Sequence, residues 1–469
     1  MTHTRIVVAP AIDFGAVRAE FALDDDYPLP AVAEADAAAD RWSAARVDRT
    51  DLPLVTIDPP GSMDLDQALH LERTVDGFVL HYAIADVAAF VAPGGALDRE
   101  SRRRGQTYYL PDGSVPLHPR SLSEDAASLL PGRVRPAALW RIVLDEAAEP
   151  VDVTVRRALV RSVARFDYAG VQAGVDAGVV HPSIAALPEF GRLREAAARA
   201  RGAIELRLPE QDVIADGNGW RLTTQPRTEV DDWNSHVSLL TGMCAAQMML
   251  DARIGLLRTL PAAAPEAVTQ LRRTASALGV PWPADVPVGS FLAGLDMTVP
   301  GTLVLMSEAP ALLRGASYVA FDGEVPEQPG HGAIGAPYAH VTAPLRRLAD
   351  RFATEVCLAV CAGTDVPASV RAALPELRET MTGSDALAGK VTRACIELTE
   401  ATVLAPHVGE TFDATVLRAT NGRRDAEVFV PDATVIAPCT GEPKEGSRIR
   451  IRLTHADPQT RKVRFAYPA

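Results

Sequence analysis

The spacing of apolar and polar positions changes character along this 469-residue chain. From Leu52 to about Arg165, short apolar runs alternate with turn residues. LPLVTID, QALHLER and GFVLHYAIADV read as three consecutive strands. From Ile184 the period lengthens, and helices are expected over Ile184–Arg201, Asn234–Asp251, Pro265–Leu278, Pro344–Cys361 and Ala386–Leu398. Two segments interrupt them: strands within IELRLPEQDVIADGNGWRLTTQP, around a Gly-Asn-Gly turn, and a proline-rich loop, Pro281–Pro300. After about Ala405 the pattern reverts to five short runs, GETFDATVLRA, DAEVFVPD, VIAPCTG, GSRIRIRLTHAD and KVRFAY, the rhythm of a small OB barrel.

Strands followed by helices define an α+β core with a mixed sheet and surrounding helices, closed by a C-terminal five-stranded barrel. Three units are expected: a short N-terminal helical unit (1–50), an α+β domain (51–404) and the barrel (405–469). The first is acidic, five Arg against nine Asp plus Glu, with an alanine-rich helix over Ala31–Ala45 that packs on the core.

Composition narrows the picture little. A hydrophobic content of 47% supports substantial cores. A net charge of −13 excludes a general nucleic-acid coat, though a basic channel can coexist with an acidic exterior. The barrel region is instead mildly basic, with Arg448, Arg450 and Arg452 on one strand face and Lys462 and Arg464 on the next. Five cysteines lack zinc spacing, and the N-terminus MTHTRIVVAPAIDFG has no signal-peptide shape, so a reducing cytoplasm is the expected location. No apolar run is long enough to suggest a membrane span, and a monomer is expected.

The most telling segment is TIDPPGSMDLDQA, which gathers Asp58, Asp64 and Asp66 within nine positions. Carboxylates that close repel by roughly 4 kcal/mol per pair near a protein surface. A hard divalent cation, Mg²⁺ or Mn²⁺, relieves that repulsion and serves phosphoryl chemistry. The spacing does not fit a calcium EF-hand loop, and a solvated turn is the bland alternative. A second feature is Thr342-Ala343-Pro344, read as a helix start that puts Arg346 and Arg347 in a first turn. Cations there oppose the helix dipole and create demand for an anion such as phosphate. The bland alternative pairs Arg346 with Asp350. A third is RESRRRGQTYYLP, whose Arg99, Arg102, Arg103 and Arg104 with Tyr108 and Tyr109 combine backbone-tracking cations with base-stacking rings.

TIDPPGSMDLDQA, followed by HYAIADVAAFV, ALDRESRRRGQTYYLP, PLHPRSLSED, RGAIELRLPE, IGLLRTLP and YAHVTAPLRRLAD, resembles the RNB family of ribonuclease II and RNase R exoribonucleases, collinearly from about Leu52 to Thr399. The resemblance implies a processive, hydrolytic 3′→5′ exoribonuclease that acts on single-stranded RNA and releases nucleoside 5′-monophosphates. It implies Mg²⁺, or Mn²⁺, held by Asp58, Asp64 and Asp66, with Asp66 catalytic. The family's fourth aspartate falls on Gln67, whose amide brings no charge and binds a metal more weakly. The resemblance further implies Arg346 at the reacting phosphate, Arg347 positioning it, Tyr109 against the 3′-terminal bases, and Arg102, Arg104 and Arg120 along the RNA. Asp86 is a cleft residue or a structural one. Ser235 and His236 stand where the family carries ribose-reading glutamates. The tandem N-terminal cold-shock domains of relatives do not fit in fifty residues, and the barrel resembles their RNA-binding OB domain. A non-catalytic RNA-binding member of the family is the alternative.

Overall fold

The computed structural model describes residues 12–206, 211–217, 219–224, 227–296 and 299–469. The first eleven residues and the RLPE stretch of the expected strand at 204–210 lie outside the described residues, as do Asn218 of the Gly-Asn-Gly turn and positions 225, 226, 297 and 298.

The three strands expected after Leu52 form as β2 (Leu54–Ile57), β3 (Gln67–Thr74) and β4 (Gly77–Ala85). They join β1 (Val47–Asp48), β7 (Val134–Leu144) and β8 (Pro150–Phe166) in a sheet of order β1-β8-β2-β3-β4-β7, with β5 (Tyr108–Leu110) and β6 (Gly113–Val115) forming a separate hairpin. β8 is long enough to pair with β7 through Arg161 and with β2 from Ser162, so the mixed sheet curls back on itself.

Alternation along the strands sorts the two faces. Leu69, Leu71, Phe78, Leu80, Tyr82, Trp140 and Ile142 pack against the helices Glu229–Ala252 and Leu348–Ala362. Leu54, Ala68, Ala83, Ala85, Leu139 and Val160 form the opposite core with Leu97 and Leu122. Burying one Phe or Leu is worth roughly 1.5–3 kcal/mol, so the first, larger cluster makes the sheet a rigid platform for loops at its ends. Gly242 shows how tightly the helices seat. A Cβ there would lie 2.2 Å from the Tyr338 ring.

Several boundaries differ from expectation. The helix expected at Asn234 begins at Glu229, because Thr228 and Asp231 form a reciprocal capping box. The helix expected over Ala386–Leu398 is one 37-residue rod, Ala368–Leu404, that continues through Pro375. Ala31–Ala45 resolves into a helix at Leu29–Asp36 and a 3₁₀ turn at Ser43–Ala45, since Asp40 turns back to hold Arg46 and the Trp42 amide. Part of the proline-rich loop is a short helix, Val288–Ala293.

The strands Thr411–Arg418, Ala426–Val430, Val435–Thr440, Arg448–Asp457 and Lys462–Ala466 close into the five-stranded barrel. Arg448, Arg450, Arg452, Lys462 and Arg464 all lie on its exposed face. Glu400, on the long helix, meets the barrel through a Gln211 amide that bridges its carboxylate (2.9 Å) and the Thr434 carbonyl. Burial pushes the Glu400 carboxyl up to about 7. A folded-state value above the unfolded one gives stability that is complete below about pH 4.5 and lost as the pH rises through about 7. Glu400→Gln keeps the acceptor without the charge. Its melting temperature should match wild type near pH 4 and exceed it near pH 8, by a free energy of at most about 3 kcal/mol.

Candidate active site

The acidic loop leaves β2 and re-enters the sheet at β3, and backbone contacts fix both ends. The Asp58 amide donates to the Phe166 carbonyl at 3.1 Å, and the Ala85 amide donates to the Asp66 carbonyl at 2.9 Å. Between them Ser128 clamps the loop, its hydroxyl donating to the Met63 carbonyl (2.6 Å) and accepting from the Leu65 amide (2.9 Å). Asp66 is buried, while Asp58 and Asp64 are partly accessible.

The Thr342–Arg347 corner faces this loop. The Leu345 amide donates to Asp66 Oδ1 at 2.7 Å, and Arg346 Nε lies 3.5 Å from Asp66 Oδ2. The expected helix start is displaced. The helix begins at Leu348, and Arg347 is its extended N-cap residue. The cause is Asp350, which accepts from the Ala343 amide (2.7 Å) and from Arg347 Nε and Nη2 (3.0 Å each). Gln106 and Thr107 then pair with Arg347 and Arg346 through the backbone. Asp350 therefore neutralises Arg347 rather than Arg346. The Arg346 side chain stays nearly half exposed, at 46%.

Burial shifts the carboxylates. Asp58 rises to about 6, mainly by desolvation, with Arg346 opposing and Asp64 adding to the rise. Asp66 rises well above the usual carboxylate range for the same first reason, despite Arg346 and the Leu345 amide. Asp58 Oδ2 is buried without a hydrogen-bond partner. Tyr109 stands at the mouth with its ring half exposed (51%) and its hydroxyl donating to Asp64 Oδ2 at 3.2 Å. Beside it a cleft of about 210 Å³ is lined by Gln106, Thr107, Tyr108, Tyr109, Arg346, Arg347 and the long helix. A larger cavity, about 830 Å³, lies between the 277–302 region and the barrel loop Lys444–Ser447 and shares no residue with this site.

Gln67 is engaged elsewhere. Its amide nitrogen donates to the Thr342 carbonyl (2.7 Å), and its oxygen accepts from the hydroxyls of Tyr82 (2.5 Å) and Ser238 (3.3 Å). Both lone pairs being occupied, Gln67 acts in this structure as a strut between the sheet and the arginine corner, not as a free metal donor. Losing a buried hydrogen-bonded partner costs about 1–3 kcal/mol. Gln67→Ala should lower stability by about 2 kcal/mol in denaturant titrations.

Three expected RNA contacts are occupied by the fold. Arg104 is buried, bonded to Glu100 and to the Asp26 and Pro116 carbonyls, and stacked on Tyr27. Arg102 pairs with Asp98 and Glu376 and lies over Phe352. Arg120, though exposed, pairs with Glu124 and the Ser114 carbonyl. The short-range acids of the same segments claim these guanidinium groups first. Asp86 is structural, buried between Arg46 and Arg157. Ser235 bonds within its own helix and to Arg227, and His236 is buried. Sequence reasoning did not single out Ser128, Tyr82, Ser238 or the Leu345 amide. Tyr82 and Leu345 lie inside the motifs but are apolar-run or backbone positions without a chemical signature, and Ser128 and Ser238 lie outside them.

A curled mixed sheet bearing an acidic loop against an arginine corner, with a closed C-terminal barrel, defines an α+β domain with an appended five-stranded barrel. Residues 46–360 match the RNB domain and residues 410–467 the RNase II-type exonuclease C-terminal S1 domain, so the chain belongs to the RNB family. Ribonuclease R of Escherichia coli is 30% identical over 321 residues, covering 66% of this chain and 39% of that protein. Exosome complex exonuclease RRP44 homolog A of Arabidopsis thaliana is 28% identical over 69% of this chain and 36% of its own length. This chain thus spans well under half of either relative. Among solved structures, Mycoplasma genitalium RNase R superposes with a TM-score of 0.86 at 19% identity, covering 97% of this chain and 77% of that one. Yeast Ssd1, described as a pseudonuclease, shares the fold at a TM-score of 0.67 and 17% identity, over 91% of this chain and 51% of its own.

Proposed function

We propose that the chain is a divalent-metal-dependent 3′→5′ exoribonuclease that releases nucleoside 5′-monophosphates from single-stranded RNA. The observation that carries this reading is the apposition of Asp58, Asp64 and Asp66 with an accessible Arg346, at the mouth of a cleft lined by Tyr109. The names of its relatives, Ribonuclease R and an exosome exonuclease, support RNA as the substrate and attack from an end, and the 3′→5′ direction is what the family resemblance implies.

The residues suit a hard cation in kind. An orphaned, buried oxygen on Asp58 beside a second carboxylate is a donor set that Mg²⁺ accepts while keeping several waters. Among the described residues no three acidic, His or Cys groups converge as a finished cage. Asp58, Asp64 and Asp66 would hold the ion with solvent. When bound, it supplies charge neutralisation and polarises the scissile phosphate.

The chain's own groups do the rest. Arg346 stabilises negative charge growing on the phosphate oxygens as water adds to phosphorus and the 3′-oxygen of the preceding nucleotide leaves. Asp66 orients Arg346 and anchors the Leu345 amide. The Tyr109 ring offers a stacking face to the terminal bases, and its hydroxyl steadies Asp64. Arg347, neutralised by Asp350, shapes the cleft more than it charges it. The exposed arginines of the barrel suit a guide for incoming RNA.

A second reading, a non-catalytic RNA binder, is favoured by one observation: Gln67 carries no charge and its amide is already bonded. Incubating 3′-labelled single-stranded RNA with Mg²⁺ or Mn²⁺ decides between them. Nuclease activity yields labelled mononucleotide, whereas the binder retards the RNA and leaves it whole.

No described helix is long and apolar enough to cross a membrane.

A further inference from the structure

The first residues described are a strap, not a free-standing unit. Phe14, the N-cap of the helix Gly15–Glu20, and Val17 within it are fully buried, in one cluster with Tyr108, Leu110 and Val115 of the β5–β6 hairpin and with the barrel strands. Ion pairs tie the same helix to both sides. Arg18 makes a bidentate contact with Asp112 at 2.8 and 2.9 Å, and Glu20 meets Arg461 of the barrel at 2.5 Å. Farther along, the Tyr27 hydroxyl donates to the Pro116 carbonyl at 3.1 Å, while Arg104 stacks on Tyr27 and donates to the Asp26 carbonyl. The strap thus grips the hairpin at its turn and at its exit.

That hairpin carries Tyr109, paired with Ser114 two residues from the turn that Arg18 holds. Tyr109 in turn bonds Asp64. A continuous chain of contacts, Arg18–Asp112–hairpin–Tyr109–Asp64, runs from the strap to the acidic loop. A two-stranded hairpin of three-residue strands is marginal alone, so its aim depends on what grips it. A bidentate guanidinium–carboxylate pair fixes orientation as well as distance.

We infer that Arg18 is a positioning residue for the RNA 3′ end, acting through Asp112 and the hairpin to set the Tyr109 stacking face. The inference rests on the nuclease reading for its substrate and assigns residues 14–27 a part in substrate grip. Loss of Arg18 frees the turn, the ring samples other orientations, and the terminal bases lose part of their stacking partner.

A double-mutant cycle in the full chain tests this, with Arg18→Ala, Tyr109→Ala and the pair acting on a 5′-labelled oligoadenylate. Arg18→Ala should raise KM about fivefold, the low end of what one base stack is worth, with a smaller fall in kcat and longer final fragments. Arg18→Lys should recover part of the loss. In the Tyr109→Ala background, removing Arg18 should add less than about twofold. Effects that multiply, or a lowered melting temperature with wild-type KM and fragment lengths, would reduce Arg18 to a structural brace and overturn the inference. Should Arg18→Ala not fold, Asp112→Asn, which keeps the turn and part of the contact, takes its place in the cycle. If wild type cleaves no RNA, the nuclease reading falls. The same cycle then runs on the dissociation constant of the labelled oligoadenylate, where coupling between the two sites sustains the inference and independence rejects it.

Discussion

Replacing Arg346 with alanine should cut turnover about a thousandfold while leaving the fold and RNA affinity nearly intact. The side chain is 46% exposed and its carboxylate neighbour, Asp66, lies at 3.5 Å, so little packing is lost with it. What disappears is the positive charge that matches the charge developing on the phosphate, a contribution of about 3–4 kcal/mol in comparable sites. Arg346→Lys should recover little, because a point charge cannot reproduce the planar fork. Arg347→Ala should behave differently. That guanidinium is paired with Asp350, so its removal strands a buried carboxylate and should cost about 3 kcal/mol or more of stability. Single-turnover rates and denaturant melts on the two variants separate these outcomes. Equal loss of rate without loss of stability in both would contradict the division of labour.

Asp58→Asn should have the second large effect, and of two signs. In metal-free protein the Asp58 carboxyl sits near 6 because it is desolvated. Its contribution to stability is therefore complete below about pH 3.8 and is lost as the pH rises through about 6. An amide removes that loss, so metal-free Asp58→Asn should be more stable than wild type near pH 7.5, by at most about 3 kcal/mol. The order should reverse on adding Mg²⁺. Wild type gains melting temperature by binding a cation, and the variant gains little. Its turnover should fall at least about a hundredfold, since the group that costs stability is the one the chemistry needs. A variant with wild-type Mg²⁺ stabilisation would remove Asp58 from the metal site.

Much of this site was legible because its residues are concentrated in short segments. The aspartates of the loop, Arg346 and Tyr109 each sit in a local pattern whose chemistry reads without knowledge of the fold, and the strands flanking the loop announce themselves by apolar runs. The barrel was legible for the same reason. Gln67 was not. Its partner Thr342 lies 275 positions away, and nothing in the local sequence says that the amide is a strut. The basic run at Arg102–Arg104 misled in the opposite direction. Asp98 and Glu100 lie three or four positions before the arginines they hold, and once the segment becomes a helix they capture them at i, i+3 and i, i+4. The displaced helix at Leu348 has a similar origin. Asp350 holds the Ala343 amide and the Arg347 side chain, so Pro344–Arg346 form a single turn closed on the Ala343 carbonyl, Arg347 is extended, and the helix starts only at Leu348. The strap role of residues 14–27 needed the tertiary fold outright, because Arg18 and Asp112 are 94 positions apart.

The most direct measurement follows a single-stranded RNA labelled on its 3′-terminal nucleotide, incubated with wild type and with Asp66→Asn, in Mg²⁺ and in chelator. The expected result is labelled nucleoside 5′-monophosphate from wild type with Mg²⁺ alone, and neither from the variant nor in chelator. RNA that stays intact with wild type in both Mg²⁺ and Mn²⁺, or an Asp66→Asn chain as fast as wild type, would contradict the assignment.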